Sequence, residues 1–260
     1  MGRKIWNVKF QMPQMTKLNL QSITDQVRDL LQMEIEQGKL TPGTRIREEH
    51  LAKELGISKS PIRVALHQLK QDGIVRIEPR RGAYVAMPNA QQILELTEMR
   101  EVLEGLAARR AAERTNKAMI AQFEQCFAGF KEKELSFRRM EYSMADLRFQ
   151  RLLAEASGSA ELIRTLQVIN IRLHMSRLYA DLMANHDLIP VHQQHLEIIA
   201  AIKAGDADKA EAVTAAHVGV IRRLVNIRVK QQKDPSSDQR SSAAVRGELF
   251  MLRGETNAKT

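Results

Sequence analysis

The most constraining stretch of this sequence is Leu51-Ala-Lys-Glu-Leu-Gly-Ile-Ser-Lys-Ser-Pro-Ile-Arg-Val-Ala-Leu, in which two short amphipathic segments are broken by Gly56-Ile57-Ser58. Leu51, Ala52 and Leu55 share one face of a segment opening at Glu48, and Ile62, Ala65, Leu66 and Leu69 share one face of the next. Apolar residues at that spacing predict two short helices. Ser58 is placed to cap the second with its hydroxyl, and Pro61 is tolerated in the first turn, where the N–H it lacks would have no intrahelical partner. Asp72-Gly73 closes that helix.

On either side the pattern extends to a complete small domain. Ile23, Val27, Leu30, Leu31 and Ile35 recur at helical spacing up to Gly38, a C-terminal stop, and Thr41-Pro42-Gly43 reads as a turn. Downstream, Ile74-Val-Arg-Ile and Ala83-Tyr-Val-Ala flank a Glu-Pro-Arg-Arg-Gly tip, a β-hairpin wing. Three helices and a wing make a winged helix over residues 21–88.

The charge of this domain is asymmetric. Residues 24–54 carry five bases and seven acids, whereas residues 56–86 carry Lys59, Arg63, Lys70, Arg76, Arg80 and Arg81 against only Asp72 and Glu78. The formal charge of +9 for all 260 residues matters less than this separation, which gives one half of the domain a basic surface. Lys59, Ser60 and Arg63 can point outward at the start of the second helix while Ile62, Leu66 and Leu69 point in, as insertion into the major groove of double-stranded DNA requires. Arginine can bridge guanine O6 and N7, and Lys59 and Ser60 can hold bases or phosphates. Arg80 and Arg81 beside Gly82 suit a neighbouring minor groove or the backbone.

The run from Gly38 through Thr41-Pro-Gly-Thr-Arg-Ile-Arg-Glu, the Leu51 to Leu66 stretch, Leu69 to Gly73 and Arg81-Gly-Ala-Tyr-Val together resemble the GntR family of bacterial regulators. The resemblance covers about residues 20–87. It implies that Arg45, Lys59, Ser60, Arg63, Arg81 and Gly82 touch DNA, with Ser58 and Pro61 at matching helix-start positions and Arg80 joining the set at the hairpin tip.

Beyond Pro88-Asn89 the sequence changes character. Asn89 is a good cap for a long amphipathic helix to about Thr115, and breaks near Thr115-Asn116, Lys133-Glu134, Ser157-Gly158-Ser159, Asn185–Pro190 and Gly205-Asp206 predict about six helices up to Lys230. The expected fold is therefore mainly α: a basic arm at residues 1–20 anchored only by Trp6, the winged helix at 21–88, an all-helical ligand-binding and dimerisation bundle at 89–230, and a tail at 231–260.

Several polar residues of the bundle fall on apolar stripes. His217 lies among Ala210, Val213, Thr214, Val220, Ile221 and Leu224; His195 among Val191, Ile198, Ile199 and Ile202; Asp146 and Gln150 share a face with Tyr142, Phe149 and Leu153; Arg100 lies among Leu96, Met99, Leu103 and Ala107. Buried ionisable groups must meet each other, a metal or a ligand. Two imidazoles and a carboxylate suit a divalent metal, and an arginine fork suits a carboxylate ligand.

The segments Met99-Arg-Glu-Val-Leu-Glu-Gly-Leu-Ala-Ala, Asp146-Leu-Arg-Phe-Gln-Arg-Leu-Leu-Ala-Glu-Ala-Ser-Gly and His195-Leu-Glu-Ile-Ile-Ala-Ala-Ile-Lys-Ala-Gly-Asp, followed by His217, resemble the FCD ligand-binding domain of the FadR subgroup over about residues 90–230. Metal-binding members of that subgroup place ligands at Asp146, His195, His217 and the position of Gln150, with a small organic acid bound against the metal. This chain departs at Gln150, where those members have His, and a neutral amide is a poor substitute for imidazole on zinc or nickel. Two arrangements stay open: a weakened zinc or nickel site at Asp146, His195 and His217, or a metal-free pocket in which Arg100, Gln150, His195 and His217 hold an anionic effector. His174 and His192 are replacement-ligand candidates.

The resemblance implies a homodimeric repressor of a palindromic operator, modulated by a small carboxylate, and not an enzyme. The alternatives are a metal-dependent enzyme on Asp146, His195 and His217, which lacks a His-Glu-x-x-His motif or phosphate loop, and an architectural DNA-binding protein, which would have no use for polar residues on core faces. No apolar run is long enough to span a bilayer and the first residues lack the apolar stretch of a signal peptide, so a cytoplasmic, nucleoid-associated location without membrane partners is expected. Cys126, the single cysteine, reads as a core residue.

Overall fold

The computed structural model describes residues 22–176 and 187–233, so the expected arm with Trp6, most of the expected tail and part of the Asn185–Pro190 break lie outside the described residues. The chain divides into two compact units, one built on residues up to Pro88 and one beginning at Asn89.

The first unit contains α1 (Ile23–Glu36), β1 (Arg45–Ile46), α2 (Glu48–Leu55), α3 (Lys59–Gln71), β2 (Val75–Glu78) and β3 (Gly82–Val85). Ser22 caps α1 by accepting the Asp25 N–H, and Gly38 follows its end in the left-handed conformation. Gly56, also left-handed, ends α2, leaving Ile57 and Ser58 to turn the chain into α3. The three strands form an antiparallel sheet in the order β1-β3-β2, with Arg45 opposite Tyr84 and Arg76 opposite Tyr84 on the other side. Its hairpin is the expected wing; β1 was not expected, because two residues carry no periodicity to detect. Val27, Leu31, Leu51, Ile62, Leu66, Leu69, Ile74 and Val85 fill the core. Ile23, expected on the buried stripe of α1, is exposed at the first position of that helix.

The second unit is helical in its described residues: α4 (Ala90–Arg114), α5 (Lys117–Phe127), α6 (Arg139–Ala156), α7 (Ala160–His174), α8 (Leu188–Ala204) and α9 (Ala207–Lys233), with a 3-10 turn, Glu132–Glu134, before α6. Asn89 and Gln92 form a reciprocal capping box at the start of α4, which is why so long a helix begins cleanly there. Pro190 sits in the first turn of α8, whose cap is Asp187, so the helix starts before the proline. α4 and α9 pack closely where Gly105 faces the Glu211 carbonyl; a Cβ there would lie 3.4 Å from it. Phe123, Phe127, Tyr142, Phe149 and Leu153 make the main core with Ala107, Ala108 and Ala111, and Ile93, Leu96, Ile169, Leu173 and Val225 a second cluster. Among the described residues no helix is long and apolar enough to cross a membrane.

Candidate functional site

The basic half of the first unit is presented by α3 and the wing. Lys59, Ser60 and Arg63 are exposed on the first turns of α3, while Ile62, Ala65, Leu66 and Leu69 are buried beneath them, and Pro61 is half-buried in the first turn. Ser58 occupies the N-cap with an extended backbone, but its hydroxyl makes no capping bond, contrary to expectation. It is exposed at the mouth of the same surface.

Both expected cations of α3 are engaged by acids of the first turn of α2. Lys59 Nζ donates to Glu49 Oε1 at 2.7 Å, and Arg63 Nε donates to Glu48 Oε2 at 2.7 Å. The Lys59 ammonium holds the Glu49 carboxyl below its ordinary range, and the Glu48 carboxylate raises the Arg63 guanidinium further. In the wing, Arg80 takes a positive φ of 62° and projects with Arg81 into solvent, where Arg81 lies 3.8 Å from Glu78. Gly82 has φ 104°, and a Cβ there would meet the Arg45 guanidinium at 3.5 Å. Arg45, on the two-residue strand, is thus laid against the base of the wing. Arg76 covers the Tyr84 ring, 4.7 Å from its centroid.

In the second unit the expected residues converge. His195, His217, Gln150 and Arg100 are buried, and Asp146 is half-buried. Their surroundings follow from helix periodicity: Tyr142, Asp146 and Gln150 are successive turns of α6, His192 and His195 one turn of α8, Thr214 and His217 one turn of α9. The Tyr142 hydroxyl and His195 Nδ1 share a hydrogen bond of 2.8 Å, and His195 Nε2 faces Asp146 Oδ1 at 3.1 Å. His217 Nδ1 donates to Gln194 Oε1 at 2.9 Å, and its ring lies 4.6 Å from that of His195, centroid to centroid. Phe127 stacks on the His195 ring, 4.7 Å between centroids.

Burial alone would raise the Asp146 carboxyl, but the charges of His195, Arg100 and His217 reverse this and hold it well below the ordinary range. The Tyr142 hydroxyl is pushed far up by burial and then by the Asp146 charge, so it stays neutral. Burial, with His195 nearby, pushes His192 down.

Sequence reading missed the partner of Arg100. Its Nε donates to Glu104 Oε1 at 2.7 Å and a terminal nitrogen reaches Glu104 Oε2 at 3.4 Å, one turn along α4, with both side chains almost fully buried. The signal was present as Arg and Glu at i and i+4. Met99, placed on the buried stripe with Arg100, is instead half exposed, because that stripe turns toward Glu104 and Ala107.

The described donors alone are not arranged as a metal centre. Among the described residues no group of three or more His, Cys, Asp and Glu side chains is arranged to hold a metal ion. His195 Nε2 is directed at Asp146, and Gln150 Oε1 is buried without a partner where a third imidazole would be needed. The replacement candidates do not change this: His174 is exposed at the end of α7, and His192 is buried against Phe127 and Tyr142. Three buried atoms of this region take no hydrogen bond: Gln150 Oε1, His192 Nδ1 and Thr214 Oγ1.

A winged helix with its cations at the tip of a groove-sized helix, followed by a helical unit that buries an unsatisfied polar cluster, defines a DNA-binding regulator with a sensing domain. The model of bacterial regulatory proteins of the gntR family matches residues 23–85 and the FCD domain model matches residues 95–220. The probable D-xylose utilization operon transcriptional repressor of Paenarthrobacter nicotinovorans is 29% identical, over 78% of this chain and 88% of that protein. The HTH-type transcriptional repressor RspR of Escherichia coli K12 is 25% identical over 86% of this chain and 96% of its own length. The solved structure of E. coli McbR/YncC shares the fold with a TM-score of 0.63 at 21% identity, covering 80% of this chain and 99% of that one. The chain belongs to the GntR family of transcriptional regulators, with an FCD domain as its second unit.

Proposed function

We propose that this chain is a dimeric repressor that reads a palindromic operator through α3 and the wing, and that a small organic acid in the second unit changes its hold on DNA. Arg63 is the base reader, Lys59, Ser60 and Ser58 hold the flanking backbone, Pro61 sets the start of the helix, and Arg45, Arg80, Arg81 and Gly82 form the wing contact. A second copy would cover Met99, Val102 and Leu106, an exposed apolar stripe along α4.

The observation that carries the sensing role is the unsatisfied set Gln150 Oε1, His192 Nδ1 and Thr214 Oγ1 beside the His195–Asp146 pair. Each buried polar atom left without a partner costs about 1–3 kcal/mol, so a bundle whose only task was structural would be better served by leucine at these positions. A compact ligand rich in oxygen recovers that cost. His195, His217 and the Gln150 amide face such a ligand from three helices, and Arg100, which Glu104 already engages, shares its charge with the ligand's carboxylate. Of the two arrangements left open by the sequence, the geometry supports direct binding of the anion.

A thermal-shift screen of small carboxylates, with and without zinc or nickel, tests this reading. An acid at 100 times its Kd stabilises by about 2.7 kcal/mol, and the same acid should weaken binding to the operator. Absence of any stabilising acid would remove the sensing role. An Arg63→Ala variant that kept its sequence preference would remove α3 from the role of reader.

A further inference from the structure

The acids on the first turn of α2 stand where a DNA-binding surface should hold only cations. Glu48 opens α2, where the unpaired N–H groups of the helix start favour a carboxylate, and Arg47 supplies no side-chain cap. Its Oε2 accepts the Nε–H of Arg63. The Arg63 side chain is 63% exposed and that of Glu48 28%. A pair so exposed to solvent adds little to stability, so holding the two helices together is not what it is for.

Its effect is on orientation. A guanidinium carries five N–H groups in a rigid fork; the bond to Glu48 uses the one on Nε and leaves the terminal edge outward. Among the described residues the Arg63 guanidinium makes no other hydrogen bond. End-on recognition of guanine needs that edge, with two parallel N–H groups aimed at O6 and N7. The neighbouring pair of Lys59 and Glu49 differs, because an ammonium has no edge to orient and the Glu49 side chain is 73% exposed.

We propose that Glu48 is a positioning residue for sequence reading: it locks Arg63 end-on, so that α3 reads a guanine instead of spending that charge on a phosphate. The proposal rests on the assignment of α3 as the reading helix. Its test is in vitro selection from a randomised duplex library with the full-length chain, followed by competition binding of the selected duplex against single-base variants at two salt concentrations.

The wild type should select a guanine at the position where Arg63→Ala loses its preference. Glu48→Ala should lower discrimination at that one position by about tenfold and leave the other positions unchanged. Glu48→Gln, which keeps an oxygen for Nε–H without the charge, should recover part of the loss, and Glu48→Ala added to Arg63→Ala should change nothing further. If Glu48→Ala and Glu48→Gln alike tighten binding to every duplex and keep full discrimination, Glu48 is only a charge screen and the proposal is wrong. If Arg63→Ala itself leaves the selected sequence unchanged, the assignment of the reading helix fails first, and the proposal with it.

Discussion

Replacing Glu104 with alanine isolates the electrostatics of the sensing unit. Arg100 is 1% exposed and its two contacts to Glu104, at 2.7 and 3.4 Å, are the bidentate fork that makes burial of a guanidinium tolerable. Removing one partner of a buried pair costs about 3–5 kcal/mol, because the other charge is left uncompensated. The Asp146 carboxylate feels the Arg100 charge and recovers part of that cost, so the lower end, about 3 kcal/mol, is the expected loss. Urea denaturation followed by far-ultraviolet circular dichroism measures it as a fall in midpoint at constant slope. Replacing both partners, Arg100→Met with Glu104→Leu, should cost far less than Glu104→Ala alone, since apolar groups of similar volume often match a buried ion pair. A single variant within about 0.5 kcal/mol of wild type would refute the reasoning, for only a solvated guanidinium could lose its carboxylate so cheaply.

Thr214→Val removes a buried hydroxyl that has no partner, and should raise the stability of the free protein by up to about 1 kcal/mol while shrinking the thermal shift produced by the stabilising acid. Gln150→His supplies the imidazole that the donor set lacks; zinc should stabilise this variant by about 2.7 kcal/mol at 100 times its Kd and the wild type by much less, read by thermal shift. Burial pushes the Cys126 thiol up against the opposing Arg148 charge, so a thiol-reactive dye should label the folded chain slowly and the urea-unfolded chain fast.

How much of this was legible in the sequence depends on whether a residue acts through its own helix or through a distant one. The helix breaks at Gly56, Asn89 and Gly205 are backbone events with a local cause, a left-handed turn or a capping box, and they stand where the sequence placed them. The inward turn of His195, His217, Gln150 and Arg100 followed from a period of 3.6, which decides a face without knowing the neighbour. What periodicity cannot decide is who meets whom. Tyr142 and His195 are 53 residues apart, and Arg63 and Glu48 are 15 apart across a turn. Both pairs are set by packing angles that no local pattern encodes.

The consequence is largest for Arg100. An inward arginine on an apolar stripe implies an anion, and the sequence reading supplied that anion from outside as the effector. The structure supplies it from one turn away, as Glu104. A carboxylate effector of the kind proposed would therefore meet a guanidinium that already has a partner, and its binding free energy would be the difference between two carboxylate contacts rather than the whole of one. That difference is small unless the ligand also satisfies Gln150 and Thr214, which Glu104 does not. Selectivity among acids then lies in the polar atoms beyond the carboxylate: a hydroxy acid or sugar acid with hydroxyls placed for α6 and α9 should bind well, and a plain carboxylate such as acetate should leave the melting temperature unchanged.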